Sequence, residues 1–245
     1  MSDAAIQAPE APGEVSAIGR IFGVLFSPQA TFAAIARRPT WLAPIIVLTF
    51  ISFGMNAMLA TRVDWRSYIQ MQLEKTGRAD QIPNEQALER VVQVQKYSRY
   101  VRGVIGDISA ALFAAAIYLG IFNLLIGADL KFKSVLSVVS FTMMPTALKE
   151  LLGIGILFLK DPTTINPDNF IASGLGAFLG NNVPNWLMVL GITVDVFIYW
   201  GMTLSVIGFH ALNPKKIKTR TAIGVVVGIY LVSVLLAVGL TAAFS

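Results

Sequence analysis

Three ionisable residues lie inside long apolar stretches of the chain. Asp195 belongs to "WLMVLGITVDVFIYWGMTLSVIGF", residues 186–209, and Lys149 and Glu150 are neighbours in "SFTMMPTALKELL", residues 140–152. A charge that leaves water for apolar surroundings costs several kcal/mol unless it is paired. Carboxylates and an amine in this setting suit an ion pair, a proton or ion relay, or a groove for a lipid headgroup or small solute. These three are the candidate intramembrane polar cluster.

The elements that must position this cluster are five apolar runs, each near the roughly 20 residues that cross a bilayer as a helix. Hydrophobic residues make up 55% of the 245 and charged residues 13%, with a mean hydropathy of +0.67. The runs are continuous, which excludes the alternating strands of a membrane β-barrel. We therefore predict an all-α polytopic membrane protein, with a disordered tail at 1–16 and one five-span domain at 17–245. The predicted spans are 41–60, 104–126, 135–158, 186–212 and 221–244.

A helical rise of ~1.5 Å per residue puts the three ionisable residues at one depth. Asp195 falls ~12 Å below the surface where the fourth span begins, and Lys149 and Glu150 fall ~13 and ~12 Å below the same surface. We expect Lys149 to pair with Asp195, Glu150 to be protonated or hydrogen-bonded, and Pro145 to kink the third span around them. Two interpretations stay open, a functional polar site and a clamp that fixes how two spans pack.

The amino-terminal segment "SAIGRIFGVLFSPQATFAAIARRPTW" carries two apolar stripes at helical spacing, separated by Ser27 and Pro28. Serine can cap a helix and proline suits its first position. The pattern predicts two short amphipathic helices on the membrane face, or alternatively a surface for a protein partner. The residues expected to meet the membrane are Phe22, Phe32, Arg37 and Arg38.

Basic residues predict the orientation, because short cytoplasmic loops are rich in Lys and Arg. Such residues occur in the amino-terminal segment and in the loops after the second and fourth spans, although the long loop 61–103 also holds several. We expect a cytoplasmic amino terminus and an external carboxyl terminus. Because the basic residues lie beside spans, the net charge of +5 indicates lipid contact and not nucleic-acid binding.

The chain lacks the residue patterns of catalysis. It has no cysteine and one histidine, His210, and it contains no G-x-S-x-G, H-E-x-x-H or P-loop motif. We therefore expect no catalytic residue, no metal and no cofactor.

Gly224 and Gly228, in "GVVVG", give the fifth span a face of small residues. Such a face allows two helices to approach closely. We expect this packing inside the chain, with a homo-oligomer or another membrane protein as the alternative.

Four stretches, in order and at matching spacing, carry a family resemblance: "FSPQATFAAIARRPTWLAP", "SFTMMPTALKELL", "NPDNFIASGLGAFL" and "ITVDVFIYWGMTLSVIGFHAL". Together they resemble the Yip family of Ypt/Rab-interacting membrane proteins in its compact bacterial-type form. The resemblance implies five spans, a cytoplasmic amino terminus and an external carboxyl terminus.

Eukaryotic relatives in that family are implicated in vesicle trafficking and bind prenylated small GTPases, generally through a longer cytosolic region. That region has only about 40 residues in this chain, so GTPase binding is not expected. The predicted function is a non-enzymatic scaffold of the bacterial inner membrane that organises membrane or recruits partners. The alternative is a small-solute, ion or lipid transporter that uses Lys149, Glu150 and Asp195.

Overall fold

The computed structural model describes residues 16–77, 84–161, 165–167, 171–180 and 183–243. The predicted tail at 1–16 lies outside these residues except for Ser16, whose hydroxyl accepts a hydrogen bond from the Gly19 N–H at 3.0 Å and caps the first helix. Residue 244, the predicted end of the fifth span, also lies outside them.

The described chain is built from α-helices, and no strand occurs in it, which confirms the predicted all-α class. A π-helical turn at Ile121–Leu125 extends the fifth helix, and a 3-10 turn at Leu175–Phe178 precedes the eighth. The helices are α1 Ala17–Phe26, α2 Pro28–Arg37, α3 Leu42–Arg62, α4 Trp65–Lys75, α5 Glu85–Gly120, α6 Phe132–Thr142, α7 Met144–Leu159, α8 Asn185–Thr193, α9 Val196–Leu212 and α10 Thr219–Ala243.

Among the described residues, four segments are long and apolar enough to cross a membrane: α3, α5 with its π turn, α6 joined to α7, and α10. They match four of the five predicted spans. The prediction of one continuous fourth helix over 186–212 is wrong, because α8 has 9 residues and α9 has 17, and they are separated at Val194 and Asp195.

The long helix α5 packs mainly along α3. Its first turn is capped by Asn84, whose side-chain oxygen accepts from the Ala87 N–H at 2.9 Å. Gly103 lies at a close approach of the two helices, since a Cβ added there would lie 2.8 Å from the Cα of Phe53. A glycine at this position therefore brings α5 against the backbone of α3.

The amino-terminal helices α1 and α2 form a hairpin that belongs to the core, packed on α6 and α9. Phe32 is 1% exposed, and its ring packs against α9, where a Cβ added at Gly208 would lie 3.0 Å from it. The expectation that Phe32 meets the membrane is therefore wrong. Phe22 is 60% exposed, on an outward face that it shares with Ile18 and Phe26. The apolar stripe of α2 serves internal packing, and the outer stripe of α1 remains free to meet lipid.

The packing expected for Gly224 and Gly228 inside the chain is also wrong. Both are exposed, and a Cβ added at either would have no atom within 4 Å. The helix α10 instead turns Ala222 and Val226 inward, toward α8 and α9.

Candidate functional site

Asp195 lies at the break between α8 and α9. Its backbone is extended, with φ −136° and ψ 136°, and its Oδ1 accepts a hydrogen bond from the Phe197 N–H at 2.8 Å. Aspartate side chains compete with the helical backbone for hydrogen bonds and favour this capping position. Asp195 therefore starts a helix, and the depth calculated for it along a continuous span does not hold.

A non-helical segment pairs with the broken backbone. The Leu175 N–H donates to the Val194 carbonyl at 3.0 Å, and the Val196 N–H donates to the Ser173 carbonyl at 3.1 Å, which forms an antiparallel bridge between Gly174 and Asp195. Backbone groups freed inside a membrane protein must find partners within the protein. The segment 173–175 supplies them, and Gly174 is required because a Cβ there would clash with the backbone of Val194.

The structure pairs Lys149 with Asp195. The Lys149 Nζ lies 2.7 Å from Asp195 Oδ2, and the Ser173 hydroxyl donates to the same oxygen. The Asp195 side chain is 3% exposed and that of Lys149 is 29% exposed. With the Phe197 N–H on its other oxygen, the buried carboxylate receives three hydrogen bonds, one of them from a cation. These contacts offset its loss of water.

Glu150 is turned away from this pair, toward α3. The Ser52 hydroxyl donates to Glu150 Oε2 at 2.5 Å, and Asn56 Nδ2 donates to the Ser52 carbonyl at 2.9 Å. Neighbouring residues of a helix point about 100° apart, so Lys149 and Glu150 cannot both face α9. The predicted cluster is thus two adjacent polar sites on different faces of α7, one toward α9 and one toward α3.

The site around Glu150 includes two residues of α5 that the sequence pattern did not indicate as site residues. Arg102 and Asp107, both on α5, are near enough to interact electrostatically with Glu150. One oxygen of Asp107, Oδ2, is buried and has no hydrogen-bond partner among the described residues. The sequence could have pointed to Arg102 and Asp107, because both flank the start of the predicted second span at 104, where the long helix enters its apolar part.

Pro145 lies in the first turn of α7, directly after the interruption at Met143 that separates α6 from α7. A proline has no N–H to continue the preceding helix. The interruption packs closely on α9, since a Cβ added at Gly201 would lie 3.1 Å from the Thr142 carbonyl oxygen. Lys149 follows one turn later and is thereby directed toward the start of α9.

No group of three or more His, Cys, Asp or Glu residues in the described part of the chain is arranged to hold a metal ion. His210 is occupied structurally, because its Nδ1 lies 2.8 Å from the Ile217 carbonyl oxygen and joins the end of α9 to the turn before α10. The arrangement pairs a cation with a carboxylate across α7 and α9, and it hydrogen-bonds a second carboxylate to α3.

Long apolar helices around a polar helix break define a multi-pass helical membrane protein. The family model described as the Yip1 domain matches residues 22–240, and the chain belongs to that family, which confirms the resemblance. The family is not known as enzymatic. No curated protein and no solved structure matches the chain.

Proposed function

We propose that the protein is a non-catalytic membrane scaffold that recruits another membrane-spanning helix through α10. The observation that supports this is the exposure of α10. Only 6% of the residues in its most apolar segment are buried, compared with 39% in α3. Gly224 and Gly228 lie four residues apart on the exposed side.

Glycine on a lipid-facing surface has a cost, because glycine in a helix is less favourable than alanine by about 1 kcal/mol. The loss is recovered where a second helix approaches the exposed backbone and gains contacts and weak hydrogen bonds. Leu231 and Leu235 follow Gly224 and Gly228 at helical spacing and are 52% and 72% exposed. They extend the same face, so a partner span would contact α10 over several turns.

Cysteine crosslinking in native membranes tests this proposal, since the natural chain has no cysteine. We expect Gly228→Cys to form a crosslinked species that is either a dimer of this chain or a complex with another membrane protein. Leu236→Cys is the matched control, because Leu236 is 61% exposed on a different side of α10. Gly224→Leu should abolish the crosslink at position 228 and leave the amount of inserted protein unchanged.

Equal crosslinking at positions 228 and 236 would indicate random collision and contradict the proposal. An absence of crosslinking at position 228 would also contradict the proposal. A dimer and a complex with another protein would both support recruitment through α10, and the mass of the species distinguishes them.

A second candidate function is transport of a proton, ion or small solute. The helix break at Asp195 favours it, because interrupted helices with polar groups inside the membrane form substrate sites in many transporters. Proteoliposomes that contain a pH-sensitive dye test it. Transport through the break requires a flux that exceeds the flux in protein-free vesicles and falls at least tenfold in Asp195→Asn, whereas Lys131→Met should have no effect. Equal flux in all samples would eliminate transport of a proton or of a solute coupled to protons.

We infer a bacterial inner-membrane location with a cytoplasmic amino terminus. The support is the arrangement of the short basic loops. Lys216 Nζ donates to the Gly127 carbonyl at 2.5 Å and Asn213 Nδ2 donates to the Ala128 carbonyl at 3.0 Å, so the loops after α5 and after α9 lie together. The α1–α2 hairpin packs at the same end of the molecule, and Arg37 and Arg38 are exposed on it. Such a basic face is typical of the cytoplasmic side, where Arg37 and Arg38 would meet anionic lipid.

A further inference from the structure

A groove of about 630 Å³ opens between the start of α1, the start of α3 and the start of α6. It lies apart from the Lys149–Asp195 pair and from the exposed face of α10. Polar and charged residues line one part and apolar residues the other. The lining that carries the argument is Arg20, Thr40, Trp41, Leu42, Ile46 and Lys133.

Arg20 is the unusual member of this lining. It is 9% exposed, and its guanidinium hydrogen-bonds through Nη1 to the Arg38 carbonyl at 3.0 Å and to the Thr40 hydroxyl at 3.1 Å. Its Nε is buried without a hydrogen-bond partner, and it forms no ion pair with a carboxylate in the described part of the chain. A buried cation without a counter-ion is strongly unfavourable. An anion in the groove would supply the missing counter-ion.

Lys133 adds a second cation on the rim. It is exposed, and its ammonium has no hydrogen bond or ion pair to any described residue. It lies in the first turn of α6, where the helix dipole disfavours positive charge. An anion between Lys133 and Arg20 would remove both disadvantages.

The apolar part of the lining indicates what kind of anion would bind. Leu42 and Ile46, one turn apart on the first membrane-spanning helix, are 56% and 57% exposed. Trp41 directly precedes them, and tryptophan favours the boundary between lipid headgroups and acyl chains. A soluble phosphate would leave this apolar wall uncovered, whereas a phospholipid would place an acyl chain on it.

We propose that this groove binds one anionic phospholipid, with its phosphate between Arg20 and Lys133 and an acyl chain along Leu42 and Ile46. Arginine and lysine both form charge-assisted hydrogen bonds with phosphate, and arginine can do so with two parallel bonds. The bound lipid would join the amino-terminal hairpin to α3 and α6. The inference does not depend on the function proposed for α10.

Native mass spectrometry of the full-length protein in detergent tests the site, with phosphatidylglycerol and phosphatidylcholine of identical acyl chains as probes. We expect the wild type to bind phosphatidylglycerol at least about tenfold more tightly. Arg20→Met should remove this preference and Lys133→Met should reduce it. The matched control is Lys131→Met, which removes an exposed cation two residues away that does not line the groove.

Three results would overturn the proposal. The first is equal affinity of the wild type for the two lipids. The second is an equal loss of preference in Lys131→Met and Lys133→Met, which would indicate diffuse surface charge. The third is competition by soluble glycerol phosphate at the concentration at which phosphatidylglycerol competes, which would make free phosphate the ligand. If Arg20→Met does not fold, the comparison of Lys133→Met with Lys131→Met decides.

Glu14→Gln separates the lipid from a carboxylate of the chain itself, since Glu14 lies two residues before the cap of α1. An unchanged lipid preference in this variant supports the site. If the wild type shows no preference for phosphatidylglycerol and Glu14→Gln does, the Glu14 carboxylate is the anion that occupies the groove in the wild type. That result would overturn the proposal.

Discussion

At the scale of single residues, the Lys149–Asp195 pair allows a sharp test, because its two members differ in burial. Lys149→Met leaves a nearly fully buried carboxylate without its cation, and we expect a loss of stability on the order of 3 kcal/mol. Asp195→Asn retains a side chain that can cap α9, and it leaves a lysine that is partly exposed, so its cost should be smaller. The double variant should lose less stability than the sum of the losses in the two single variants. Reversible unfolding in mixed micelles measures all four proteins.

Additive losses in that cycle would show that the two side chains do not stabilise each other. Lys131→Met is again a suitable control, because removal of an exposed charge should change stability by no more than about 0.5 kcal/mol.

The pair also shows what the sequence could predict at this scale. Opposite charges in two apolar runs indicated the ion pair, but the contribution of Ser173 depends on a loop that contacts Asp195 only in the folded chain.

At the scale of elements, the contact between α8 and the 3-10 turn at Leu175–Phe178 should be sensitive to one methyl group. A Cβ added at Gly191 would lie 2.9 Å from the Cα of Gly176 and 3.1 Å from its nitrogen, and neither backbone atom can move independently. We expect Gly191→Ala to destabilise the protein by about 1–3 kcal/mol and to speed amide exchange at Leu175. The measurements are unfolding in micelles and hydrogen exchange.

Gly155→Ala on α7 is the control for helix propensity, since a Cβ there would have no atom within 4 Å. Alanine favours a helix over glycine by up to about 1 kcal/mol, so this variant should be as stable as the wild type or more so. If Gly191→Ala behaves in the same way, the close packing of α8 on the turn is wrong.

The same elements show why some features of the fold followed from sequence and others did not. Apolar length predicted α3, α5, the α6–α7 span and α10, because a bilayer requires a minimum helix length. It could not predict the break at Asp195. That break is stable because Ser173 and Leu175 bond to the freed backbone, and these residues lie about 20 positions away in the chain. Periodicity also could not show that the apolar stripe of α2 faces protein and not lipid.

At the scale of the whole molecule, the short basic loops lie at one end and the polar helix α4 belongs to the opposite connection, between α3 and α5. Positive charge in short loops is retained in the cytoplasm, whereas long loops such as 61–103 have less influence. The orientation that we infer therefore puts α4 outside the cell membrane and the loop that contains Lys215 inside. Gln70 lies on α4 and Lys215 lies in the loop between α9 and α10. Both are exposed, and each can be replaced by cysteine in this cysteine-free chain.

A maleimide that does not cross membranes should then label Gln70→Cys in intact bacterial cells, and it should label Lys215→Cys only after permeabilisation. Labelling of both variants after permeabilisation controls for reactivity, and the wild type controls for background because it has no thiol. The reverse labelling pattern would mean that the protein has the opposite orientation in the membrane. It would place the basic hairpin and the groove at Arg20 on the external side, and it would mean that the eight basic residues of the loop 61–103 outweigh those of the short loops.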